Sequence, residues 1–220
     1  MLIKIYDKLL NHFGNQGWWP ADSRFEVIVG AILTQQTSWK NVEKSIMNLK
    51  ENNVLEPKKL FNLSIKKLES LVKPSGFFKV KTKRLRSFLE FFIENYDGDL
   101  NKIFELPLKD LRQNLLSVHG IGPETCDSII LYAGDKPVFV VDAYTIRLCE
   151  RYPIIRSKKY EEVREFFENN LPKDVNLFKE FHALIVELGK NYCKTKPMCE
   201  KCPLNEGCKH EISNNNLLNK

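Results

Sequence analysis

The chain has 220 residues, of which 43% are hydrophobic and six are cysteine, and its formal net charge is +6, with an isoelectric point near 8.9. That length and apolar content can bury a substantial core as one domain or two modest ones. No apolar run approaches bilayer-spanning length, which excludes membrane insertion, and the positive balance favours a polyanionic partner, although surplus lysine also serves solubility.

In chain order the helical pattern is nearly continuous. Met1 to Phe13 alternates charged and apolar residues and has no uninterrupted apolar stretch of the kind a secretion signal needs. A reducing cytoplasm is therefore expected, with the protein near the nucleoid if its partner is DNA. A first break covers Gly14 to Asp22 and contains Trp18-Trp19-Pro20; Phe25 to Leu33 then reads as a buried core helix, followed by Thr34-Gln35-Gln36-Thr37 and Trp39. Further breaks fall at Pro57, Pro74-Ser75-Gly76, Asn95 to Asp99, Pro107, His119 to Gly122, and Gly134 to Pro137. Strand-like sequence is confined to Val138–Val141. The fold class is all-α without an internal repeat, and Ser213 to Lys220 is expected to be a disordered tail.

The segment Val118-His119-Gly120-Ile121-Gly122-Pro123-Glu124 follows leucines 108, 111, 115 and 116 at helical spacing. Pro123 stands where a new helix would begin, a position where its missing N–H costs nothing. Helix, tight glycine hairpin, helix is the resulting reading. Gly120 and Gly122 admit backbone angles closed to other residues, and the amides opening the second helix are donors for a phosphate. A plain turn between packed helices explains the glycines equally well. Twenty residues beyond Gly122, the apolar run Pro137 to Val141 delivers Asp142 to the front of another helix, as an N-cap, a catalytic carboxylate, or both.

Cys193, Cys199, Cys202 and Cys208 form C-x5-C-x2-C-x5-C. Four thiolates complete a zinc site or an iron-sulfur site, and spacing alone decides neither. Disulfides are the weaker reading in a chain with no secretory signature. Cys126 and Cys149 read as small buried apolar residues.

Together these motifs resemble the endonuclease III superfamily of DNA glycosylases, over nearly the whole chain. The order W-W-P, F-E-x-x-x-G-A-x-L-T-Q-x-T, P-S-G-F, G-I-G-x-E-x-x-D-x-I resembles its 3-methyladenine DNA glycosylase III branch. The resemblance implies a two-lobed fold: a central helical domain with the hairpin over residues 25–134, and a flanking domain of residues 1–24 plus 135–212, with DNA across the cleft. It moves the metal from zinc to a 4Fe-4S cluster on the four cysteines, although the first gap is one residue shorter than the family's usual six.

The resemblance also assigns roles. Asp142 stabilises the oxocarbenium-like sugar or orients the attacking water. Glu124 stands where bifunctional members carry a lysine nucleophile; glutamate forms no imine, so a monofunctional enzyme is expected, and otherwise Glu124 contributes a first-turn charge worth up to ~1 kcal/mol. Trp18, Trp19, Pro20 and Trp39 would form an aromatic base pocket. A cationic alkylpurine gains ~2 kcal/mol or more by cation–π attraction to such rings once desolvated. Gly120, Ile121 and Gly122 would grip the backbone, Gln35 would fill the gap left by the flipped base, and Phe77, or equally Phe78, would wedge between bases. Lys79, Lys81, Lys83, Arg84 and Arg86 read mainly as a solvated helix face, some touching phosphate. His119 and His182 read as turn or core histidines, and Leu184 stands where the branch has a lysine. The partner is double-stranded DNA with a damaged base, bound by a monomer. The alternatives are an endonuclease III-type enzyme for oxidised pyrimidines or mismatches, and a non-catalytic DNA-binding module.

Overall fold

The computed structural model describes residues 1–208, so the expected tail at 213–220 lies outside the described residues. The described residues are helical, with no strand among them. They divide into two compact units, one of Met1–Trp18 with the chain from Pro137 onward, the other of Trp19–Lys136. The divisions after Trp18 and Lys136 are displaced from those at 24/25 and 134/135 that the sequence suggests.

In the Trp19–Lys136 unit, α2 (Arg24–Leu33) is the axis of the core. Every residue from Phe25 to Leu33 is buried, and Ser23 caps it by accepting from the Glu26 amide. Around it run α3 (Trp39–Glu51), α4 (Pro57–Asn62), α5 (Ile65–Val72), α6 (Phe78–Tyr96) and α7 (Leu100–Phe104). Pro57 opens α4 rather than merely interrupting a helix, its missing N–H falling where none is used. The hairpin pair is α8 (Leu108–Ser117) and α9 (Pro123–Ser128), the latter running into a π-helical turn over Ile129–Ala133. Arg112 of α8 clamps the wholly buried Asp127 of α9 with two parallel bonds, Nε to Oδ1 at 2.8 Å and Nη2 to Oδ2 at 3.1 Å. That fork fixes the two hairpin helices against each other.

In the other unit, α1 (Leu2–Phe13) lays Leu2, Ile5 and Leu9 inward. The remaining helices are α10 (Ala143–Arg151), α11 (Tyr160–Asn170) and α12 (Val175–Asn191), whose first turn is capped by Asp174. Tyr144 of α10 lies so close to Gly189 of α12 that a Cβ there would stand 2.1 Å from the ring. The strand-like run Val138–Val141 pairs with no strand. Its four side chains are buried, and side chains take up two of its amides: Phe139 N–H donates to Glu168 at 2.9 Å and Val141 N–H to the Tyr160 hydroxyl at 3.5 Å. Its apolar, β-branched character reflects burial, and with its amides served by side chains no sheet is required. Phe139 stacks on Phe167 at 4.2 Å and meets Phe178 edge-on at 5.5 Å, which anchors the run leading to Asp142.

Removing one partner of a buried ion pair strands the other. Asp127→Ala is expected to lower unfolding free energy by about 3 kcal/mol, the lower end for such a loss. Urea denaturation followed by circular dichroism measures it, and an unchanged midpoint would contradict the clamp.

Candidate active site and DNA-contacting loops

Asp142 opens α10 as its N-cap. Its Oδ1 accepts from the Thr145 amide at 2.7 Å and the Thr145 hydroxyl at 2.9 Å. Its Oδ2 lies 3.7 Å from Nε2 of the buried His182 on α12. Burial pushes the Asp142 carboxyl upward, but His182 and the Thr145 donors outweigh it, and the pKa falls below the ordinary 3.8. The group is therefore a fixed, ionised carboxylate, with Oδ1 used by the cap and Oδ2 facing His182. Trp18 meets His182 edge-on at 5.9 Å, and the Lys190 ammonium stands 5.1 Å over the Trp18 ring. His182 thus occupies a core position, as the sequence suggests, and that position is beside the carboxylate. The polar signal was a lone histidine within the apolar run Phe181 to Val186.

The other candidates belong to the Trp19–Lys136 unit, apart from the cysteines. Trp19 meets Trp39 edge-to-face at 5.3 Å and Tyr132 at 5.2 Å, and both tryptophans pack over Gly30. The two indoles touch at an interplanar angle of 86° rather than facing each other across a base-wide gap. Pro20 is exposed. Leu184 is fully buried in the apolar interior.

Val118 and Ile121 anchor the hairpin in the core, while Gly122 is exposed and Gly120 has φ +87°. His119 is exposed in the turn. The first helical bond of α9 is Cys126 N–H to Gly122 O at 2.9 Å. Glu124 is exposed in the first turn. A Cβ on Gly120 would stand 2.2 Å from Arg84 Cγ, because the arginine stem lies across the hairpin. Arg84 Nη1 donates to Gln35 Oε1, and Gln35 Nε2 donates to Gly120 O at 3.0 Å and Thr125 Oγ1 at 2.9 Å. Gln35 is thereby tied to the hairpin. Its neighbour Gln36 is exposed and held at φ +55°, a feature the doublet Gln35-Gln36 left unresolved in sequence.

Phe77 and Phe78 separate clearly. Phe78 is half-buried at the start of α6, whereas Phe77 is 67% exposed and sits at φ 44°, ψ 31°. That left-handed conformation costs a non-glycine residue about 1–2 kcal/mol. Packing does not account for an exposed aromatic in that conformation, which makes Phe77 a candidate for function.

The basic run of α6 is mostly committed inward. Lys81 is buried and donates from Nζ to Ser75 O at 2.6 Å; burial, then Arg84, lowers its pKa to about 8. Arg84 holds Gln35, and both Nη atoms of Arg86 bond the carbonyls of Phe61 and Leu63. Lys79 and Lys83 remain exposed.

The cysteine loop follows α12 through consecutive turns: Cys202 N–H to Cys199 O at 3.0 Å, Asn205 N–H to Cys202 O at 3.1 Å, Cys208 N–H to Asn205 O at 3.1 Å. Arg147 and Arg151 of α10 brace it, Arg147 donating to Cys193 O at 2.9 Å and Arg151 to Cys193 Sγ at 3.3 Å and Lys194 O at 2.6 Å. Burial raises the Cys202 thiol to about 11, with the Leu204 amide opposing and Cys193, Cys208 and Cys199 adding to the rise. The four thiols are thus electrostatic neighbours, although among the described residues they are not gathered to metal-ligand distance. Four soft donors beside a guanidinium suit a thiolate-held metal group. Cys126 and Cys149 are buried elsewhere, and burial pushes Cys149 up to about 12.

Residues 29–173 match the model of the HhH-GPD superfamily base excision DNA repair proteins. The chain belongs to that superfamily. A protein of Methanocaldococcus jannaschii, whose name assigns it provisionally to the DNA repair glycosylases, is 51% identical over 94% of this chain and 96% of its own. The thymine/uracil-DNA glycosylase of Pyrobaculum aerophilum is 28% identical over 92% of this chain and 86% of its own. Among solved structures, the H. pylori 3-methyladenine DNA glycosylase bound to 1,N6-ethenoadenine has a TM-score of 0.77 and 32% identity, covering 86% of this chain and 97% of that one. A DNA repair glycosylase of the HhH-GPD superfamily is what the sequence and the helical fold support together. Among the described residues no helix is long and apolar enough to cross a membrane.

Proposed function

We propose that this glycosylase is monofunctional and hydrolyses the N-glycosidic bond of alkylated purines flipped out of duplex DNA, the class that includes 3-methyladenine and 7-methylguanine. The observation that carries the chemistry is Asp142, a largely shielded carboxylate held ionised by His182 and Thr145. Cleavage builds positive charge on the deoxyribose, and a pre-oriented anion stabilises that charge without reorganising at the moment of reaction. Glu124 cannot form a Schiff base, so the product is an intact strand with an abasic site.

The choice of base is supported by the 32% identity to the H. pylori enzyme and by Trp18, Trp19, Pro20 and Trp39. An alkylated purine carries positive charge, gains more from indole faces than a neutral base, and leaves readily, so no strong general acid is needed. The edge-to-face closure of Trp19 on Trp39 requires one ring to turn before a purine can stack between them. A second reading, a mismatched or deaminated pyrimidine, is supported by the Pyrobaculum relative, whose name is of that class.

The hairpin Gly120-Ile121-Gly122 is assigned to the phosphate backbone. Phe77, exposed and strained, is assigned as the wedge. Gln36 replaces Gln35 as the residue offered to the vacated base position, because Gln35 is spent on the hairpin. A monomer is sufficient, since flipping one base needs no symmetric partner. Cys193, Cys199, Cys202 and Cys208 would hold a 4Fe-4S cluster, with zinc as the alternative, and when bound it would tie down the C-terminal loop.

Base release separates the readings. Duplexes carrying methylated purines, uracil, a G·T mismatch or an oxidised pyrimidine are incubated with wild type and Asp142→Asn. Free methylpurine is expected from wild type, with a rate loss of about 10²–10³-fold in the variant, the range for losing one electrostatic stabiliser. Release of uracil or thymine alone would move the substrate to the second reading, and equal rates for the two proteins would remove Asp142 from the chemistry. For the metal, analysis of the purified protein should find iron with acid-labile sulfide in equal amounts; zinc without sulfide would contradict the cluster.

A further inference from the structure

The turn that presents Phe77 is unusual in how it is held. Gly76 and Phe77 are consecutive residues at positive φ, 68° and 44°, and the Phe77 ring is largely exposed, so it gains little from packing. The restraints come from the backbone. Ser75 is buried and its hydroxyl donates to Val72 O at 2.7 Å, while Gly76 N–H donates to Lys73 O at 3.2 Å. On the far side, Val80 and Lys81 N–H both donate to Phe77 O at 3.0 Å, which starts α6.

Lys81 contacts both ends of this turn. Its main-chain N–H binds the Phe77 carbonyl, and its ammonium reaches back to the Ser75 carbonyl at 2.6 Å, bracketing the two positive-φ residues. The side chain is 1% exposed. A lysine is almost never buried this completely unless paired, and among the described residues its ammonium meets a carbonyl and no carboxylate. For stability alone, an apolar residue would serve better in that position. The arrangement is intelligible if the ammonium holds a conformation the chain would otherwise abandon.

We propose that Lys81 is a positioning residue for DNA distortion: its buried ammonium, bonded to the Ser75 carbonyl, locks the Gly76–Phe77 turn so that the Phe77 ring is presented to the duplex. This rests on the reading of Phe77 as the wedge, and it deepens that reading by naming what keeps the wedge raised. Lys81 touches no DNA in this scheme. Its effect passes through Phe77.

The test uses the metal-loaded full-length protein and a duplex containing a tetrahydrofuran abasic analogue with 2-aminopurine as the neighbouring base, whose fluorescence rises when it is unstacked. Wild type, Phe77→Ala and Lys81→Met are compared for the fluorescence rise at saturation and for Kd. Phe77→Ala should abolish most of the rise. Lys81→Met should do the same and weaken binding by about tenfold, the scale for losing a charged hydrogen bond. A merely structural lysine would lower the melting temperature and leave the rise at saturation intact, and that result overturns the proposal. If Phe77→Ala keeps the full rise, the wedge reading itself fails, a different outcome from the first. Should Lys81→Met not fold, reductive methylation of wild type with peptide mass mapping decides: Lys79 and Lys83 should react while Lys81 stays protected, and equal labelling of all three would overturn the proposal.

Discussion

The hairpin and loops proposed to meet DNA in the Trp19–Lys136 unit depend on a side chain that is not there. Because Gly120 has no Cβ, the Arg84 stem lies across the hairpin and its guanidinium reaches Gln35, which returns to the hairpin through Gly120 O and Thr125 Oγ1. One helix, α6, thus braces the hairpin and the loop after α2 through Arg84, and the Phe77 turn through Lys81. Three loops that would otherwise move separately share one rigid support. A site that must bend DNA needs such backing, since the ligand pushes back with the energy of unstacking.

Much of this was legible in the sequence. The all-helical class followed from periodicity and punctuation, and the hairpin followed from leucine spacing, the glycine pair and Pro123. Asp142 was legible as a cap because an apolar run delivers it to a helix start. The apparent strand at Val138–Val141 was misleading because β-branched burial looks the same whether amides are served by a neighbouring strand or, as here, by Glu168 and Tyr160. The basic run after Phe78 was only half legible. Charge at helical spacing does not reveal which cations turn inward to carbonyls, and Lys81, Arg84 and Arg86 all do. The resemblance points to Gln35, and nothing in the sequence reveals that Gln35 is tied to the hairpin while Gln36 is the exposed one of the pair.

The Asp142 environment shows the same economy in the other unit. The N-cap bonds that start α10 also orient the carboxylate, and His182 holds its charge against burial. The N-cap role is observed and the catalytic role proposed for the same side chain is compatible with it, a combination the sequence left open. Glu124 sits in the first turn of α9, and a carboxylate there offers no amine for an imine with the sugar. The proposed monofunctional chemistry rests on that residue type.

Borohydride reduction during turnover tests that directly. With a substrate duplex and sodium borohydride present, an imine between enzyme and sugar would be reduced to a stable protein–DNA adduct, visible as a shifted band in a denaturing gel. The account predicts free base, an alkali-labile strand and no adduct. A trapped adduct accompanied by strand cleavage would contradict it, and would require an amine nucleophile other than the residue at 124.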